Sequence, residues 1–162
     1  MDNQQERLEI SLEWFAGFFE AEGWISLMKT YRSYKGEKKV IYVPVCGMCN
    51  TDFEILYQVE SVLKKNEIGY QLQLRKPRKE THKKSWQINM QCLKKSLLFL
   101  EWILPYLRGQ KRFKAQQVIR FCKLRKEKTQ GFCGVAYSQD ELDLFDEIRS
   151  KILNDYTPNT AR

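Results

Sequence analysis

The nine residues from Phe15 to Gly23, Phe-Ala-Gly-Phe-Phe-Glu-Ala-Glu-Gly, constrain the fold of this chain most, because they predict a helix that is apolar nearly all round. A helix over residues 12–22 has two apolar faces, one with Leu12, Phe15, Ala16 and Phe19 and the other with Trp14, Gly17, Phe18 and Ala21. Only a narrow edge with Glu13 and Glu20 stays polar. Both apolar faces must be buried, so we expect this helix to pack against a core on one side and a partner on the other.

Two further features of this helix point to close contact and to bound charge. Gly17 and Ala21 lie one turn apart and form a low ridge that lets a second backbone approach closely. Glu20 and Glu22 lie at the negative end of the helix dipole, where carboxylates are unfavourable. We therefore expect a positive group, such as a divalent cation, to compensate them.

The same nine residues resemble the motif of the LAGLIDADG homing endonucleases, with Phe15 for the first Leu and Glu20 and Glu22 for the two Asp. In that family two copies of the helix pack face to face, and the last acid of each binds a divalent metal at the scissile phosphate of DNA. The resemblance implies that Glu22 is this acid and that the dimer interface comprises Trp14, Gly17, Phe18 and Ala21.

Composition agrees with a folded, DNA-binding protein. The chain has 162 residues, 43% of them hydrophobic and 13% aromatic, which suits one globular domain over 1–162. Its net charge of +8 favours a polyanionic partner, although a merely soluble basic protein would show it too. Residues 1–9 show no secretory signal, no segment is long enough to span a membrane, and five cysteines favour reduced thiols over disulfides. We expect a reducing intracellular compartment, an organelle or a prokaryotic cytoplasm.

Alternation and turn residues predict four antiparallel strands and several helices beyond the first. Strands are expected over 24–31, 40–49, 70–75 and 86–90, and helices over 53–66, 93–107, 113–126 and about 138–154. Ile25 and Leu27 should face inward, whereas Pro44 indicates an edge or a bulge and, with Gly47, leaves open which face of the second strand is which.

The predicted order, helix-strand-strand-helix-strand-strand-helix, is that of one LAGLIDADG unit. The fold class is therefore expected to be α+β, with a core over about 11–127, a saddle-shaped antiparallel sheet and extra C-terminal helices. One motif copy implies a homodimer. By resemblance, the dimer would be a site-specific, intron-encoded endonuclease that hydrolyses both strands of a long, roughly palindromic DNA site and leaves short 3′ overhangs. The main alternative is a non-catalytic relative, either an RNA-binding maturase or a DNA-binding regulator.

The resemblance also assigns the chemistry. Metal would be held by Glu22 and the backbone carbonyl of Ala21, with Mg²⁺ the expected ion and Mn²⁺ or Ca²⁺ able to take its place. Asn50 matches the amide position after the second strand, and Lys111 the lysine after Leu-Pro-Tyr-Leu, where it would stabilise developing negative charge. Each has a bland alternative: a surface acid for Glu22, a helix cap for Asn50 and a solvated lysine for Lys111.

The outward side chains of the sheet have the chemistry that reads bases in the major groove, and the loop lysines suit phosphates or simply a solvated hairpin. This predicted DNA-binding set comprises Ser26, Met28, Thr30, Arg32, Tyr34, Lys35, Lys38, Lys39, Gln71, Gln73, Arg75, Arg78, Lys79, Lys83, Lys84, Gln87 and Asn89.

Other site types fit the sequence less well. Cys46 and Cys49 form a Cys-x-x-Cys pair, but a thioredoxin-like redox site would leave the charge and the first helix unexplained. A zinc site with Cys92 lacks a second close cysteine pair, and His82 is the only histidine, which excludes a paired-histidine nuclease. Glu37-Lys38-Lys39 fits half of another metal-nuclease signature but lies in a predicted turn.

Overall fold

The computed structural model describes residues 10–77, 81, 83–129 and 136–154. Its first helix, α1, spans Leu12–Glu22, as the sequence predicts. The hydroxyl of Ser11 accepts a hydrogen bond from the Trp14 N–H at 3.1 Å and so caps the start of α1. At the other end the Gly23 N–H donates to the carbonyl of Phe19, and the chain leaves in extended conformation.

A long hairpin follows, formed by β1 (Gly23–Tyr34) and β2 (Glu37–Asn50). Lys35 and Gly36 join the strands with φ angles of 50° and 83°, the left-handed pair that a two-residue type I′ turn requires. This turn fixes the register from Tyr34 opposite Glu37 to Gly23 opposite Met48. The register settles which face is which: even-numbered β2 residues share the inner face with Ile25 and Leu27, and odd-numbered ones lie on the outer face.

The sheet is completed after a second helix, α2 (Phe53–Lys65), by β3 (Gln71–Arg75) and β4 (Ser85–Gln91). It is antiparallel, with the order β1-β2-β4-β3. β2 is thus an interior strand, whereas Pro44 had suggested an edge position or a bulge. The proline is tolerated because pairing with β4 begins only at Val45.

Three helices close the chain: α3 (Leu93–Ile103), α4 (Gly109–Thr129) and α5 (Gln139–Leu153). Where the sequence predicts helix up to residue 107, α3 ends at Ile103 and passes into a 3-10 turn, Leu104–Tyr106, that contains Pro105. α4 is longer at both ends than predicted. Ser138 caps α5 with the predicted capping box, which includes Glu141.

The helices cover the inner face of the sheet and form one hydrophobic core with it. Phe15 and Phe19 of α1 are fully buried there and meet Phe99 of α3 edge-on. The α+β class and the αββαββα order are therefore confirmed. Across the part of the chain that the structure describes, no helix is long and apolar enough to cross a membrane.

Candidate active site and nucleic-acid interface

The C-terminal end of α1 meets the start of α4, and this junction brings the predicted acids and lysine together. One carboxylate oxygen of Glu20, Oε1, accepts a hydrogen bond from the backbone N–H of Arg108 at 2.7 Å. The Nζ of Lys111 donates to the backbone carbonyl of Glu20 and lies 5.8 Å from the ring centroid of Phe19. Lys111 therefore provides the positive charge that the end of α1 was expected to need.

The surroundings of Lys111 act on its charge in opposite directions. Partial burial lowers the pKa of Lys111, while the nearby carboxylates of Glu20 and Glu22 favour its charged form. Lys111 thus interacts electrostatically with both acids, and it is not the fully solvated lysine of the alternative interpretation. Ala21 and Glu22 themselves are exposed, so this end of α1 is open to a ligand.

Asn50 lies at the same end of the sheet but has a local role. It is the last residue of β2, and its Oδ1 accepts a hydrogen bond from the Asp52 N–H at 2.9 Å. Asp52 in turn caps α2 by accepting from the Glu54 N–H at 2.9 Å. Asn50 therefore stabilises the turn before α2, a role close to the helix cap that was its alternative interpretation. Its part in catalysis stays a prediction.

The oxygen atoms at the end of α1 suit a hard divalent cation as ligands. The Glu22 carboxylate and the Ala21 carbonyl supply oxygen, the ligand type that Mg²⁺ prefers. Among the described residues no three His, Cys, Asp or Glu side chains gather as a metal cluster.

Most of the predicted base-reading side chains share the outer face of the sheet. Cross-strand pairs place Gln71 opposite Asn89, Gln73 opposite Gln87, and Arg75 opposite Ser85. Gln71, Gln73 and Arg75 are exposed, as are Met28, Thr30 and Arg32 on β1, whereas Ser26 and Gln87 are half-buried. The structure brings these residues together on one surface.

Asn89 differs from this set because its side chain is only 7% exposed. Its Oδ1 accepts from Gln87 Nε2 at 2.6 Å. A Cβ at Gly47 would lie 2.4 Å from the Trp24 ring and 2.7 Å from this same Oδ1, so the indole lies across Gly47 close to Asn89. Sequence reasoning missed this packing, and Gly47 is the signal that could have found it, since a glycine within a strand often marks a close approach.

The loop cations lie around the outer face but are not equivalent. Lys35 is in the hairpin turn, Lys39 lies 4.0 Å from Glu37, and Lys83 and Lys84 are exposed before β4. Lys38 pairs with Ser33 and therefore lies on the inner face of the sheet, not the outer one. Arg78, Lys79 and the side chain of Tyr34 lie outside the described residues.

The second face of α1 is open in the single chain. Trp14 is 40% exposed and stacks on Phe18 with ring centroids 5.4 Å apart and an interplanar angle of 5°. A Cβ at Gly17 would meet no described atom within 4 Å, and Ala21 is exposed. An apolar stripe thus runs along the surface of α1 to the end where Glu22 lies.

The cysteine alternatives do not fit this geometry. Both Cys46 and Cys49 belong to β2, and their spacing of three places them on opposite faces of the strand. Cys46 is buried, and burial raises the pKa of its thiol, the opposite of a redox-active thiol. Neither the redox pair nor the zinc site is therefore formed within the described part of the chain.

Comparisons with known proteins give a consistent result only at the level of structure. No protein-family model matches the sequence, and no curated protein matches it significantly. Solved homing endonucleases do match in fold. I-TnaI superposes with a TM-score of 0.66 at 13% identity, over 92% of each chain. I-CvuI in complex with its target gives a TM-score of 0.56 at 19% identity, over 87% of this chain and 76% of that one.

A third similar structure, the LAGLIDADG homing endonuclease I-GzeII in complex with its DNA target, has a TM-score of 0.59 at 18% identity. The match covers 90% of this chain but only 44% of I-GzeII. The fold expected from the motif helix is thus confirmed over nearly the whole chain. The protein has the fold of the LAGLIDADG homing endonucleases.

Proposed function

We propose that this protein is a site-specific homing endonuclease that acts on double-stranded DNA as a metal-dependent homodimer. It would hydrolyse both strands of a long, roughly palindromic site and leave short 3′ overhangs. The observation that carries the proposal is the junction of α1 and α4, where Lys111 contacts the Glu20 carbonyl near the exposed Glu22. Similar folds crystallised with DNA, such as I-CvuI and I-GzeII, support the substrate.

The residues at this junction have distinct roles in the proposed reaction. Glu22 and the Ala21 carbonyl would hold a divalent ion, expected to be Mg²⁺, which supplies charge neutralisation at the phosphoryl group and an activated water. Lys111 would stabilise the negative charge that develops on the phosphate. Glu20 is a positioning residue, because its carboxylate is already engaged with the Arg108 N–H and so ties α1 to the chain segment that carries Lys111.

The open face of α1 supports the proposed homodimer. The chain covers 92% of I-TnaI but 44% of I-GzeII, so it supplies one unit where the longer protein has room for two. The stripe of Trp14, Gly17, Phe18 and Ala21 would pack on its copy in a second subunit, which places two Glu22 residues near one axis. A two-fold dimer reads a palindromic site because each half-site meets the same surface.

Replacement of Glu22 tests the enzyme hypothesis. Duplexes bound in Ca²⁺ from a randomised pool would be cloned, and cleavage of the resulting plasmid followed in Mg²⁺. We expect Glu22→Gln to slow cleavage by about a hundredfold or more while binding stays intact, because a neutral amide replaces the metal-holding carboxylate.

Glu20→Gln is the matched control, since a glutamine Oε1 still accepts from the Arg108 N–H. It should cut within a few-fold of the wild-type rate. Equal loss in both variants would show that the assay reports the helix end as a whole and not Glu22. Tight binding with no nicking by the wild-type protein in Mg²⁺ would instead support the non-catalytic alternative, a DNA-binding regulator or an RNA maturase.

A further inference from the structure

The outer face of the hairpin carries an aliphatic surface of which only Met28 belongs to the predicted DNA-binding set. The register places Val43 opposite Met28, Ile41 opposite Thr30, and Val45 opposite Ser26. Met28 is 40% exposed and Ile41 and Val43 are half-buried, whereas Val45 is buried. We call Met28, Ile41 and Val43 the aliphatic strip.

The strip lies on the face opposite the helices and outside the hydrophobic core. Its neighbours Tyr42 and Cys46 point the other way and belong to the core. Arg32 and Lys39 form the next pair toward the hairpin turn, so charged side chains border the strip on that side. An apolar surface with a basic border on one side fits a ligand that presents both apolar and negatively charged groups.

Duplex DNA presents such a surface only at certain bases. In the major groove thymine carries a C5 methyl group, whereas cytosine presents an N4 amino donor at the neighbouring position. An aliphatic side chain gains contact with the methyl group, but it would leave the amino group desolvated without an acceptor. The other half of the face, on β3 and β4, presents the amides of Gln71, Gln73 and Gln87, which suit adenine.

We propose that the aliphatic strip reads thymine methyl groups and that the half-site bound by each subunit is therefore rich in A·T pairs. This inference rests on the proposed function, because it names the DNA that the same surface would take. Within one half-site, β1 and β2 recognise thymine through apolar contact, and β3 and β4 recognise adenine through hydrogen bonds. The two halves of the sheet read A·T pairs by different chemistry, and Arg75 at the end of β3 is left to guanine or phosphate.

The test removes the methyl group alone. Sites selected from a randomised duplex pool would be resynthesised with deoxyuridine replacing each thymine in turn, and affinity measured in Ca²⁺. Thymines beneath the strip should each lose roughly fourfold in affinity, the effect of one buried methyl group. Met28→Gln and Val43→Asn should abolish that loss at specific thymines, and Gln73→Ala, on the other half of the face, should leave it unchanged.

The outcomes separate this inference from the function on which it rests. Suppose that the protein selects and cuts a site, but deoxyuridine substitution does not weaken binding, or weakens it equally in both strip variants. Either result refutes recognition of thymine by the aliphatic strip and leaves the proposed endonuclease function intact. A selected site without thymines sensitive to Met28→Gln or Val43→Asn does the same. A pool that yields no preferred sequence refutes the proposed function and this inference with it.

Discussion

At the scale of single residues, the backbone is strained at Cys92, just before α3. Its φ of 100° and ψ of 160° lie in a region that only glycine adopts readily. The residue is held there because its N–H points to the Pro44 carbonyl at 3.4 Å while Ser96, one turn into α3, donates to the same carbonyl at 3.1 Å. These two hydrogen bonds therefore hold the backbone in the strained conformation where β4 passes into α3.

We expect Cys92→Gly to raise the free energy of unfolding by about 1 kcal/mol, because glycine adopts this conformation without strain. Urea denaturation measures the change. Cys92→Ala keeps the Cβ and removes only the thiol, so it should not stabilise the protein. Equal stabilisation by both variants would assign the effect to the thiol and contradict the backbone explanation.

The sequence alone predicts where a residue lies when one helix defines its surroundings, and it predicts this less well elsewhere. Glu20 and Glu22 follow from the wheel of one helix. Lys111 and Glu20, by contrast, meet across 91 positions of sequence, a contact that only the motif resemblance could suggest. The burial of Asn89 against Trp24 and Gly47 depends on packing between β1, β2 and β4, which alternation along β4 alone does not reveal.

At the scale of elements, α5 is held to α4 by a buried ion pair. Arg125 Nη1 lies 3.2 Å from Glu141 Oε1, and both side chains are less than a tenth exposed. The Arg125 guanidinium also lies 4.0 Å from the ring centroid of Tyr137. The other carboxylate oxygen of Glu141 accepts from the Ser138 N–H at 2.9 Å, so one carboxylate both caps α5 and joins it to α4.

The stability that this carboxylate contributes should depend on pH. Burial by itself would raise the pKa of Glu141, but the hydrogen bond from Ser138 and the charges of Arg125 and Lys128 outweigh it and lower that pKa. A depressed pKa means stability that is present above the ordinary carboxyl range and lost as pH falls through the lowered value.

We expect Glu141→Gln to lower the free energy of unfolding by about 3 kcal/mol at neutral pH, because Arg125 stays buried without the opposing charge. The difference in free energy of unfolding between the variant and the wild type should become smaller as pH falls below about 4. Urea unfolding at several pH values measures it. Glu147→Gln, which removes an exposed pair with Lys151, is the control and should have little effect at any pH. A gap that stays constant down to low pH would contradict the charge argument.

Element bounds illustrate what periodicity can and cannot supply. α1 and the capping box of α5 follow the prediction closely, since caps and helical spacing are local signals. The faces of β2 stayed open because Pro44 and Gly47 interrupt the alternation along the strand. Once Lys35 and Gly36 are known to form the turn, the register and both faces follow from counting along the strands.

At the scale of the whole molecule, the open face of α1 determines the expected assembly. We expect Gly17→Leu to raise the dimer dissociation constant by about tenfold or more, because a side chain at the ridge would separate the two helices. Sedimentation equilibrium measures it. In an isolated chain the leucine side chain would meet open space and leucine has a higher helix propensity than glycine. The thermal unfolding temperature of the monomer should therefore not fall.

Gln116→Leu adds the same side chain at an exposed position of α4 and serves as the control. It should leave the association state unchanged. A wild-type protein that sediments as a monomer at every concentration, or a Gly17→Leu variant that associates as tightly as the wild type, would contradict dimerisation through α1.

The contact between Lys111 and the end of α1 also has a consequence for the order of folding. The hairpin of β1 and β2 closes through a two-residue turn, whereas the tether from Lys111 to the Glu20 carbonyl closes a loop of 91 residues. Long loops are entropically costly to close, so local hairpins form before such contacts. We therefore expect the chain to collapse around its sheet first and to complete the acidic end of α1, and with it the proposed active site, only when α4 docks.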